Sequence, residues 1–398
     1  MGDIFVSVGE PSGDVLASEL VPKMQTHFPS ERFFGIGGPR LRQLDCFEAV
    51  ADIKQLSVMG FVEVIKHLPF IKRIEDRLLT EIARRKPKVA ILVDYPGFHM
   101  RLAEMLKARD ILVIQYVAPQ LWAWGARRTK RLKAVTDLVV GIMPFEETFF
   151  REREVNFQYA GTPQVDRAKN ALRSKSSLEL PENKVLIGFF PGSRRGEISR
   201  VLPILVAARD LLRKENQGYH FVFSKAPNAD WDVFSPLCLD EEQGRDIDSN
   251  AGEARFWRQG DTTLVQGRSL DLMSVMDSAV VTSGTATLEC GLVKTPMTVA
   301  YKMNPTTYKI AKHLVKLDSI SLVNLVAGKG IIREFIQDFS PQDLAKELSE
   351  LAVEGPRRGT VISDLNTLDR KLKGDLPEEA ARIIADFYYN ASLSPRRL

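Results

Sequence analysis

Short apolar runs alternate with amphipathic helical stretches along this chain, and that alternation limits its possible folds more than any other feature. In the first half, the apolar runs predict strands at residues 4–8, 33–36, 89–93, 112–117 and 138–143. A polar stretch at residues 173–183 lacks any hydrophobic period and is typical of a linker between domains. The alternation then restarts, which predicts two α/β domains, each a doubly wound, mostly parallel sheet with helices on both faces.

The second half repeats the pattern, and its apolar runs predict strands at residues 185–190, 220–224, 263–265, 279–282 and 297–301. Residues 240–261 are polar and acidic and predict an irregular excursion. We expect one domain at residues 1–172, a second at 184–355 and a helical segment at 356–398. That segment would either pack back on the first domain or be exchanged in a homodimer. Open parallel sheets bind ligands at the carboxyl ends of their strands, so we expect a ligand in a cleft between the domains.

The composition argues against several functional classes. The chain has 398 residues with 55 basic and 51 acidic side chains, and a net charge of +4 gives little attraction for nucleic acid. Neither the three cysteines nor the five histidines have a metal-ligand spacing, and we interpret the two Asp-x-Asp pairs as solvated loops. No apolar run approaches the roughly 18 residues of a membrane-spanning helix. We therefore expect a cytoplasmic protein that holds no metal.

Two glycine turns each follow a predicted strand and open a helix. In V-G-E-P-S-G-D, after the first strand, the glycines permit a tight turn and Ser12 is a suitable N-cap. A ligand role and a simple capped helix both remain open for this turn. In F-F-P-G-S-R-R-G-E-I, Gly192 and Ser193 offer backbone donors, and Arg194 offers a guanidinium suited to phosphate. The second turn therefore indicates an anion site more strongly than the first.

Two further motifs place polar groups at predicted strand ends. In T-S-G-T-A-T-L-E, Ser283, Gly284 and Thr285 open a helix, and Glu289 lies one turn further on, where it could accept hydrogen bonds from a ribose. The alternative is that these hydroxyls only cap the helix. In A-I-L-V-D-Y-P-G-F-H, Asp94 follows four apolar strand residues, which makes it a candidate general base. The alternative there is an aspartate that caps the next helix or binds loop amides.

Two segments combine basic and apolar side chains. Trp122 belongs to a strand-end loop, and a basic run that includes Arg128 follows it on a predicted helix. This pattern fits a sugar and phosphate site, a nucleic acid strand, or an ordinary solvated face, and the last is the most usual. Residues 56–74 carry more apolar surface than one helix face needs, which fits either a membrane interface or a core-facing helical hairpin. The candidate membrane patch consists of Phe61, Val62, Val64, Ile65, Leu68 and Ile71.

Together these segments resemble the lipid-A-disaccharide synthase family. The resemblance is collinear over about residues 3–337, through V-G-E-P-S-G-D, G-I-G-G-P-R-L, V-M-G-F-V-E-V-I, V-D-Y-P, Y-V-A-P-Q-L-W-A-W, M-P-F-E, P-G-S-R-R-G-E, S-G-T-A-T-L-E and N-L-V-A-G-K. It implies an inverting glycosyltransferase of Gram-negative lipopolysaccharide synthesis, with two Rossmann-type domains in a GT-B-like arrangement. The family uses a UDP-sugar donor without a required metal or cofactor and associates peripherally with the inner face of the inner membrane.

The resemblance also implies a reaction and roles for residues. A 2,3-diacylglucosamine would pass from UDP to 2,3-diacylglucosamine 1-phosphate (lipid X), which forms a β-1,6-linked disaccharide. Asp94 matches the general base for the acceptor 6-hydroxyl, and Arg194 matches the arginine on the donor diphosphate. The residues matched to the nucleotide site are Gly192, Ser193, Ser283, Gly284, Thr285, Glu289 and Asn324. Glu10 and Ser12 match first-turn residues that face the cleft, and the apolar segment matches the membrane-facing patch. We also expect Trp122 and Arg128 at the cleft and acceptor, with the basic run as a hypothesis for the acceptor phosphate or anionic headgroups.

Four motifs depart from the family pattern, namely P-G-F-H, G-T-P-Q, L-V-N-L and Y-K-M. The departing residues are Gly97, His99, Thr162, Val323 and Lys302. None of them removes Asp94 or Arg194, so we expect altered substrate preference more than an altered reaction class. Two alternatives stay open on the sequence alone. One is a UDP-sugar 2-epimerase of the same architecture, and the other is a homologue that binds lipid or UDP without catalysis.

Overall fold

The computed structural model describes residues 3–55, 61–171, 174–247, 254–314 and 319–393, without the side chains of residues 61–71, 124, 247, 310, 311, 313 and 314. The candidate membrane patch, Phe61, Val62, Val64, Ile65, Leu68 and Ile71, therefore lies outside the described side chains. The chain divides into two compact units. Unit 1 comprises Met1–Pro163 and Lys373–Leu398, and unit 2 comprises Gln164–Leu372.

The described residues form two sheets, one in each unit. The strands of unit 1 are β1 (Ile4–Val8), β2 (Phe33–Gly37), β3 (Phe47–Asp52), β4 (Val89–Val93), β5 (Leu112–Tyr116), β6 (Leu138–Gly141) and β7 (Phe157–Tyr159). The strands of unit 2 are β8 (Val185–Phe190), β9 (Tyr219–Lys225), β10 (Arg245–Ile247), β11 (Ala254–Gln259), β12 (Thr262–Gln266), β13 (Ser278–Val281), β14 (Met297–Tyr301) and β15 (Glu334–Ile336).

Helices connect most of the strands. In chain order they are α1 (Pro11–His27), α2 (Phe61–Arg85), α3 (Pro96–Lys107), α4 (Leu121–Trp124), α5 (Thr129–Val135), α6 (Phe145–Arg151), α7 (Pro163–Lys169), α8 (Arg195–Glu215), α9 (Ser269–Val275), α10 (Thr285–Leu292), α11 (Pro305–Leu314), α12 (Leu322–Ala327), α13 (Pro341–Ala352), α14 (Pro356–Asn366) and α15 (Leu376–Leu393). None of the helices that the structure describes combines the length and the apolar character needed to cross a membrane.

The sheet of unit 1 is parallel, with the strand order β3-β2-β1-β4-β5-β6-β7. Both β1 and β4 are buried along their whole length. Continuous apolar runs such as Val89–Val93 are expected where helices cover both faces of a parallel sheet. The sheet of unit 1 is therefore doubly wound, as the sequence predicts.

The sheet of unit 2 has the order β10-β11-β12-β9-β8-β13-β14-β15. In this spatial order, the six strands β12, β9, β8, β13, β14 and β15 are parallel to their neighbours. The pairs β10–β11 and β11–β12 are antiparallel. The irregular excursion expected at residues 240–261 is thus partly sheet. The cause is the burial of Phe256 and Trp257, whose strand pairs with β12, while the Trp257 indole donates to the Glu241 carbonyl at 3.0 Å.

The unit boundaries differ from the expected domain limits. Residues 164–171 and 356–372 lie with unit 2, and the chain returns to unit 1 at Lys373. The Thr162 backbone N–H donates to the Lys373 carbonyl at 2.7 Å. This bond links the last residues of unit 1 before the chain enters unit 2 to the first residue after it returns. Helix α15 then packs on α1, where the Tyr389 ring stacks on Phe28 at 5.7 Å between centroids. The C-terminal helix therefore completes the core of unit 1.

Candidate active site

The strand order of unit 1 reverses between β1 and β4, because the chain first extends outward through β2 and β3 and then continues on the other side of β1. Val8 of β1 pairs with Val93 of β4. Glu10 and Asp94 therefore follow neighbouring strand ends. Parallel sheets bind ligands at such a reversal, because the connecting helices leave to opposite faces and open a crevice. This reversal is the candidate acceptor and base site of unit 1.

Asp94 has an unusual backbone and a half-buried side chain. Its φ angle is 54° and that of Tyr95 is 49°, so two successive non-glycine residues are left-handed. The Asp94 N–H donates to the Tyr116 carbonyl at 2.8 Å. Burial raises the pKa of the Asp94 carboxyl, against a backbone hydrogen bond from Tyr95 that lowers it. A raised pKa makes this carboxylate a stronger proton acceptor, as a general base requires.

Gly9 allows the turn after β1 to approach the turn after β4. A Cβ atom at Gly9 would lie 2.2 Å from the ring of Tyr95, closer than any side chain could tolerate. Burial raises the pKa of the Tyr95 hydroxyl, and the charge of Glu10 adds to that rise. Tyr95 is thus a residue of this site that the sequence analysis did not identify. Its position directly after Asp94 was the available signal.

Within V-G-E-P-S-G-D, the helix cap and the buried aspartate serve the fold. Helix α1 begins at Pro11 with Glu10 as its N-cap, which corrects the expectation that Ser12 is the cap. Ser12 is exposed in the first turn of α1. The buried carboxylate of Asp14 accepts backbone N–H bonds from Gly38 at 2.9 Å and from Leu41 at 3.1 Å. The motif's aspartate therefore fixes the loop after β2.

Trp122 is held by a buried carboxyl in unit 1. Its indole N–H donates to Glu146 at 3.2 Å, and its ring meets Phe145 edge-on at 4.9 Å. Burial raises the pKa of Glu146 to about 8, although the indole and the N–H of Met143 donate to it. The sequence analysis did not single out Glu146, although M-P-F-E contains it. The contact spans 24 residues of chain, which no local pattern reveals.

The basic run after Trp122 is partly neutralised. Arg131 pairs with Glu104 at 2.7 Å, and Lys133 pairs with Glu154 at 2.7 Å. Arg128 is exposed, in a short 3₁₀ turn before α5. Paired charges on an exposed helix are the ordinary solvated-face arrangement. Arg131 and Lys133 are therefore weak candidates for an anion site.

Unit 2 has its own reversal of strand order, between β8 and β13. Val281 of β13 pairs with Phe190 of β8, so the two glycine turns of this unit leave neighbouring strand ends. A Cβ atom at Gly192 would lie 3.7 Å from Thr282. The structure thus brings together the two motifs that the sequence analysis assigned to the nucleotide. Their shared edge is the candidate donor site of unit 2.

The first of these turns presents a cation. Gly192 has a φ of 94°, in the left-handed region that favours glycine. Ser193 and Arg194 are exposed, and α8 begins directly after Arg194. The Arg194 guanidinium donates to Glu197 at 3.0 Å within the first turn of α8. Arg194 is thereby oriented at a helix N-terminus, where the exposed N–H groups favour an anion.

The second turn presents mostly backbone groups. Gly284 has a φ of 129° and is the N-cap of α10, and Thr285 is exposed at the first position of that helix. The Ser283 hydroxyl donates to the Ile320 carbonyl at 3.0 Å. Burial raises the pKa of Glu289, while the charge of Arg167 opposes the rise. Ser283 therefore orders a neighbouring loop, and Gly284 and Thr285 offer the accessible donors.

Asn324 is buried and fully engaged inside unit 2. Its amide nitrogen donates to the Ile332 carbonyl at 3.0 Å and to Glu334 at 2.9 Å. Its oxygen accepts the N–H groups of Ile331 at 2.9 Å and Ile332 at 3.0 Å. These bonds fix the segment before β15. The contact of Asn324 with the nucleotide, which the family resemblance implies, stays a prediction.

The described residues contain no group of three or more His, Cys, Asp or Glu side chains that could hold a metal ion. Asp230 and Asp232 both accept hydrogen bonds from Arg195, at 2.8 Å and 2.7 Å.

A cavity of 960 Å³ in unit 1 is lined in part by Lys88 and Leu112. These residues lie at the amino ends of β4 and β5, the opposite edge of the sheet from Asp94. That cavity is separate from the candidate site.

Solved structures with a similar fold include an epimerase and a glycosyltransferase. A putative UDP-N-acetylglucosamine 2-epimerase from Listeria monocytogenes has a TM-score of 0.60 at 10% identity, over 99% of this chain and 97% of that chain. CalG4, the calicheamicin glycosyltransferase, has a TM-score of 0.59 at 12% identity, over 98% and 99% of the two chains. At these identities the likeness establishes the fold alone. It confirms an α/β protein with two Rossmann-like domains of the GT-B type.

Sequence comparison identifies the family. The family model described as Lipid-A-disaccharide synthetase matches residues 4–382. The lipid-A-disaccharide synthase of Trichlorobacter lovleyi is 36% identical over 355 residues, which is 87% of each chain. That of Myxococcus xanthus is 36% identical over 383 residues, 95% of this chain and 94% of the relative. The chain therefore belongs to the lipid-A-disaccharide synthase family, a family of glycosyltransferases.

Proposed function

We propose that this enzyme transfers 2,3-diacylglucosamine from UDP to 2,3-diacylglucosamine 1-phosphate and releases UDP. The product would be the β-1,6-linked lipid A disaccharide 1-phosphate. The observation that carries the proposal is the position of Asp94, a half-buried carboxyl of raised pKa at the strand reversal of unit 1. Membership of the family supplies the substrate class.

In this mechanism, Asp94 removes the proton from the acceptor 6-hydroxyl as its oxygen attacks the anomeric carbon of the donor. The bond from that carbon to the UDP oxygen breaks on the opposite face, which inverts the configuration. Positioned bases of this kind contribute about 10²–10⁴-fold to rate, and most when their pKa approaches the working pH. Glu10, at the neighbouring strand end, would accept hydrogen bonds from acceptor hydroxyls.

We assign the donor to unit 2. Arg194 would bind the diphosphate and offset the negative charge that develops on departing UDP. The backbone donors of Gly192, Ser193, Gly284 and Thr285 would surround the same phosphates. These groups lie at two neighbouring turns.

The ribose and the acceptor need separate groups. Glu289, which is half-buried, would accept hydrogen bonds from the ribose hydroxyls. Trp122 would offer an aromatic face to the acceptor sugar, with Arg128 near its phosphate.

Both substrates carry acyl chains, so the segment at residues 61–71 would dock on the inner face of the inner membrane. Ser12 would line the acceptor side at the first turn of α1.

The decisive experiment is an assay in mixed micelles with both acylated substrates and a chelator present. Wild-type protein should release UDP and form a tetra-acyl disaccharide 1-phosphate, measured by mass. The D94N variant should lose about 10²–10⁴-fold in kcat, because an amide cannot take the proton. D110N is the matched control, since Asp110 is an exposed aspartate that also has a left-handed backbone, with a φ of 57°.

Two results would contradict the proposal. One is equal activity of D94N and D110N, which would remove Asp94 from the chemistry. The other is lipid-independent conversion of UDP-N-acetylglucosamine with no disaccharide formed, which would favour an epimerase.

The variant R194A should raise the KM for the UDP-sugar while leaving the acceptor KM unchanged. This pattern would separate donor binding from the role of the base.

A further inference from the structure

The backbone at Asp94 and Tyr95 is held in a conformation that the two residues would not adopt unaided. Left-handed backbone at a non-glycine residue is energetically unfavourable and persists only where the surroundings enforce it. The φ angles of 54° and 49° place both residues in that region. Specific contacts must therefore supply the restraint.

Three hydrogen bonds engage the peptide groups of Asp94. The N–H donates to the Tyr116 carbonyl at 2.8 Å, in continuation of the sheet. The carbonyl accepts from Gln115 Nε2 at 3.2 Å and from His99 Nδ1 at 2.7 Å. His99 makes the shorter of the two bonds to the carbonyl. It lies in the first turns of α3 and is fully buried.

The contacts also define the protonation of His99. A carbonyl oxygen can only accept, so Nδ1 carries the proton that it donates to Asp94. Burial lowers the pKa of His99 to about 4, against the hydrogen bond to Asp94 that raises it. The imidazole is therefore neutral, and Nε2 must accept from the Ser7 hydroxyl at 2.9 Å. Ser7 belongs to β1, so one ring connects β1, β4 and α3.

We propose that His99 is a positioning residue, a neutral imidazole that fixes the left-handed turn of Asp94 and Tyr95 and so aims the Asp94 carboxylate. The inference rests on the proposed role of Asp94 as the base. His99 does not touch substrate and does not carry the transferred proton. Its effect on rate comes through the orientation of Asp94, since a displacement of about 1 Å at a reacting group can cost 10²-fold.

Two amide substitutions separate the two bonds of the ring. In H99N the side-chain nitrogen occupies the place of Nδ1 and can still donate to the Asp94 carbonyl. In H99Q the amide reaches the place of Nε2 and can meet Ser7 instead. We expect H99N to keep kcat within about threefold and H99Q to lose about 10–100-fold, with both KM values unchanged. S7A, which removes only the far bond, should behave like H99N.

Wild type and D94N belong in the same assay, so that the two proposals can fail separately. Absence of disaccharide from wild type would contradict the proposed function. Active wild type, inactive D94N and equal kcat for H99N and H99Q would overturn the role of His99. A purely structural role would lower the melting temperatures of H99N and H99Q without a difference in kcat between them.

Nitrogen NMR of the wild-type histidines tests the inference without any substitution. The expected result is a His99 ring with a protonated Nδ1 and an unprotonated Nε2, unchanged from pH 5.5 to pH 8. A ring with the proton on Nε2, or one that titrates near its ordinary pKa of about 6.5, would overturn the inference. H99N provides the assignment of the signal, because it removes one histidine from the spectrum.

Discussion

The indole of Trp122 and the carboxyl of Glu146 form a hydrogen bond of 3.2 Å in the interior of unit 1, where Glu146 is only 3% exposed. A Cβ atom at Gly141 would lie 3.0 Å from the same carboxyl. The close approach of the backbone leaves little room for solvent around the carboxyl. Trp122 therefore owes its orientation to a group whose charge state depends on burial.

Glu146 should make the stability of unit 1 depend on pH. Its pKa rises to about 8 on folding from an ordinary value of 4.5, so the folded protein binds one more proton than the unfolded chain between these pH values. Its contribution to stability is complete below about pH 4.5 and is lost as the pH rises towards 8. At 1.36 kcal/mol per pH unit, the loss is roughly 3–5 kcal/mol.

The measurement compares melting temperatures of wild type and E146Q at pH 5 and pH 8.5. E146Q cannot ionise, so its melting temperature should rise relative to wild type as the pH increases. E147Q is the control, because Glu147 is adjacent, more exposed and paired with Arg151. Parallel pH profiles for wild type and E146Q would refute this account of the buried carboxyl.

Gly9 should tolerate no side chain, whereas Gly97 should tolerate one. The Cβ of G9A would lie 2.2 Å from the Tyr95 ring and would displace the turn that carries Asp94. G97A meets nothing within 4 Å and lies in the first turn of α3, where alanine is preferred by up to ~1 kcal/mol. We expect G9A to lose more than tenfold in kcat and G97A to match or exceed wild-type stability. Equal kcat values for the two variants would show that the Tyr95 ring can move freely.

Asn324 should act through stability before it acts on nucleotide binding. N324A leaves the buried N–H groups of Ile331 and Ile332 without acceptors, and each such group costs about 1–3 kcal/mol. We expect a loss of roughly 2–4 kcal/mol in the unfolding free energy of unit 2, with weaker UDP binding as a consequence. The control is S283A, which removes a single hydrogen bond to the same region. Unchanged stability of N324A with lost UDP affinity would instead indicate direct contact with the nucleotide.

The central strands could be predicted from the sequence because strands buried on both faces consist of continuous apolar runs. β1, β4, β8 and β13 match the predicted ranges to within one residue. The edge strands β3, β7 and β15 were missed, since they are short or half-exposed and carry no such run. Burial on both faces leaves a pattern in the sequence, and pairing along one edge does not.

The site divides in the same way. The placement of Asp94 follows from the strand end that precedes it, which local sequence records. The bond from His99 to Ser7 joins residues 92 positions apart, and most partners of Asn324 are backbone groups that any side chains could carry. Such contacts depend on how the strands are ordered in the sheet. Sequence reasoning from one chain therefore identified the groups that face a ligand and missed those that hold them.

The pair Asp230 and Asp232 should be dispensable, and activity should not respond to a chelator through them. Both carboxylates already accept hydrogen bonds from Arg195 and lie largely in solvent. Exposed ion pairs contribute about 0–1 kcal/mol, so their loss should affect neither folding nor binding strongly. We expect the double variant D230N/D232N to keep kcat within about threefold, with or without added Mg²⁺. The contrary result has two parts: wild-type activity falls with a chelator and returns with Mg²⁺, and the D230N/D232N variant is inactive. That result would identify a metal site at this pair, and Arg195 would then compete with the metal ion for the two carboxylates.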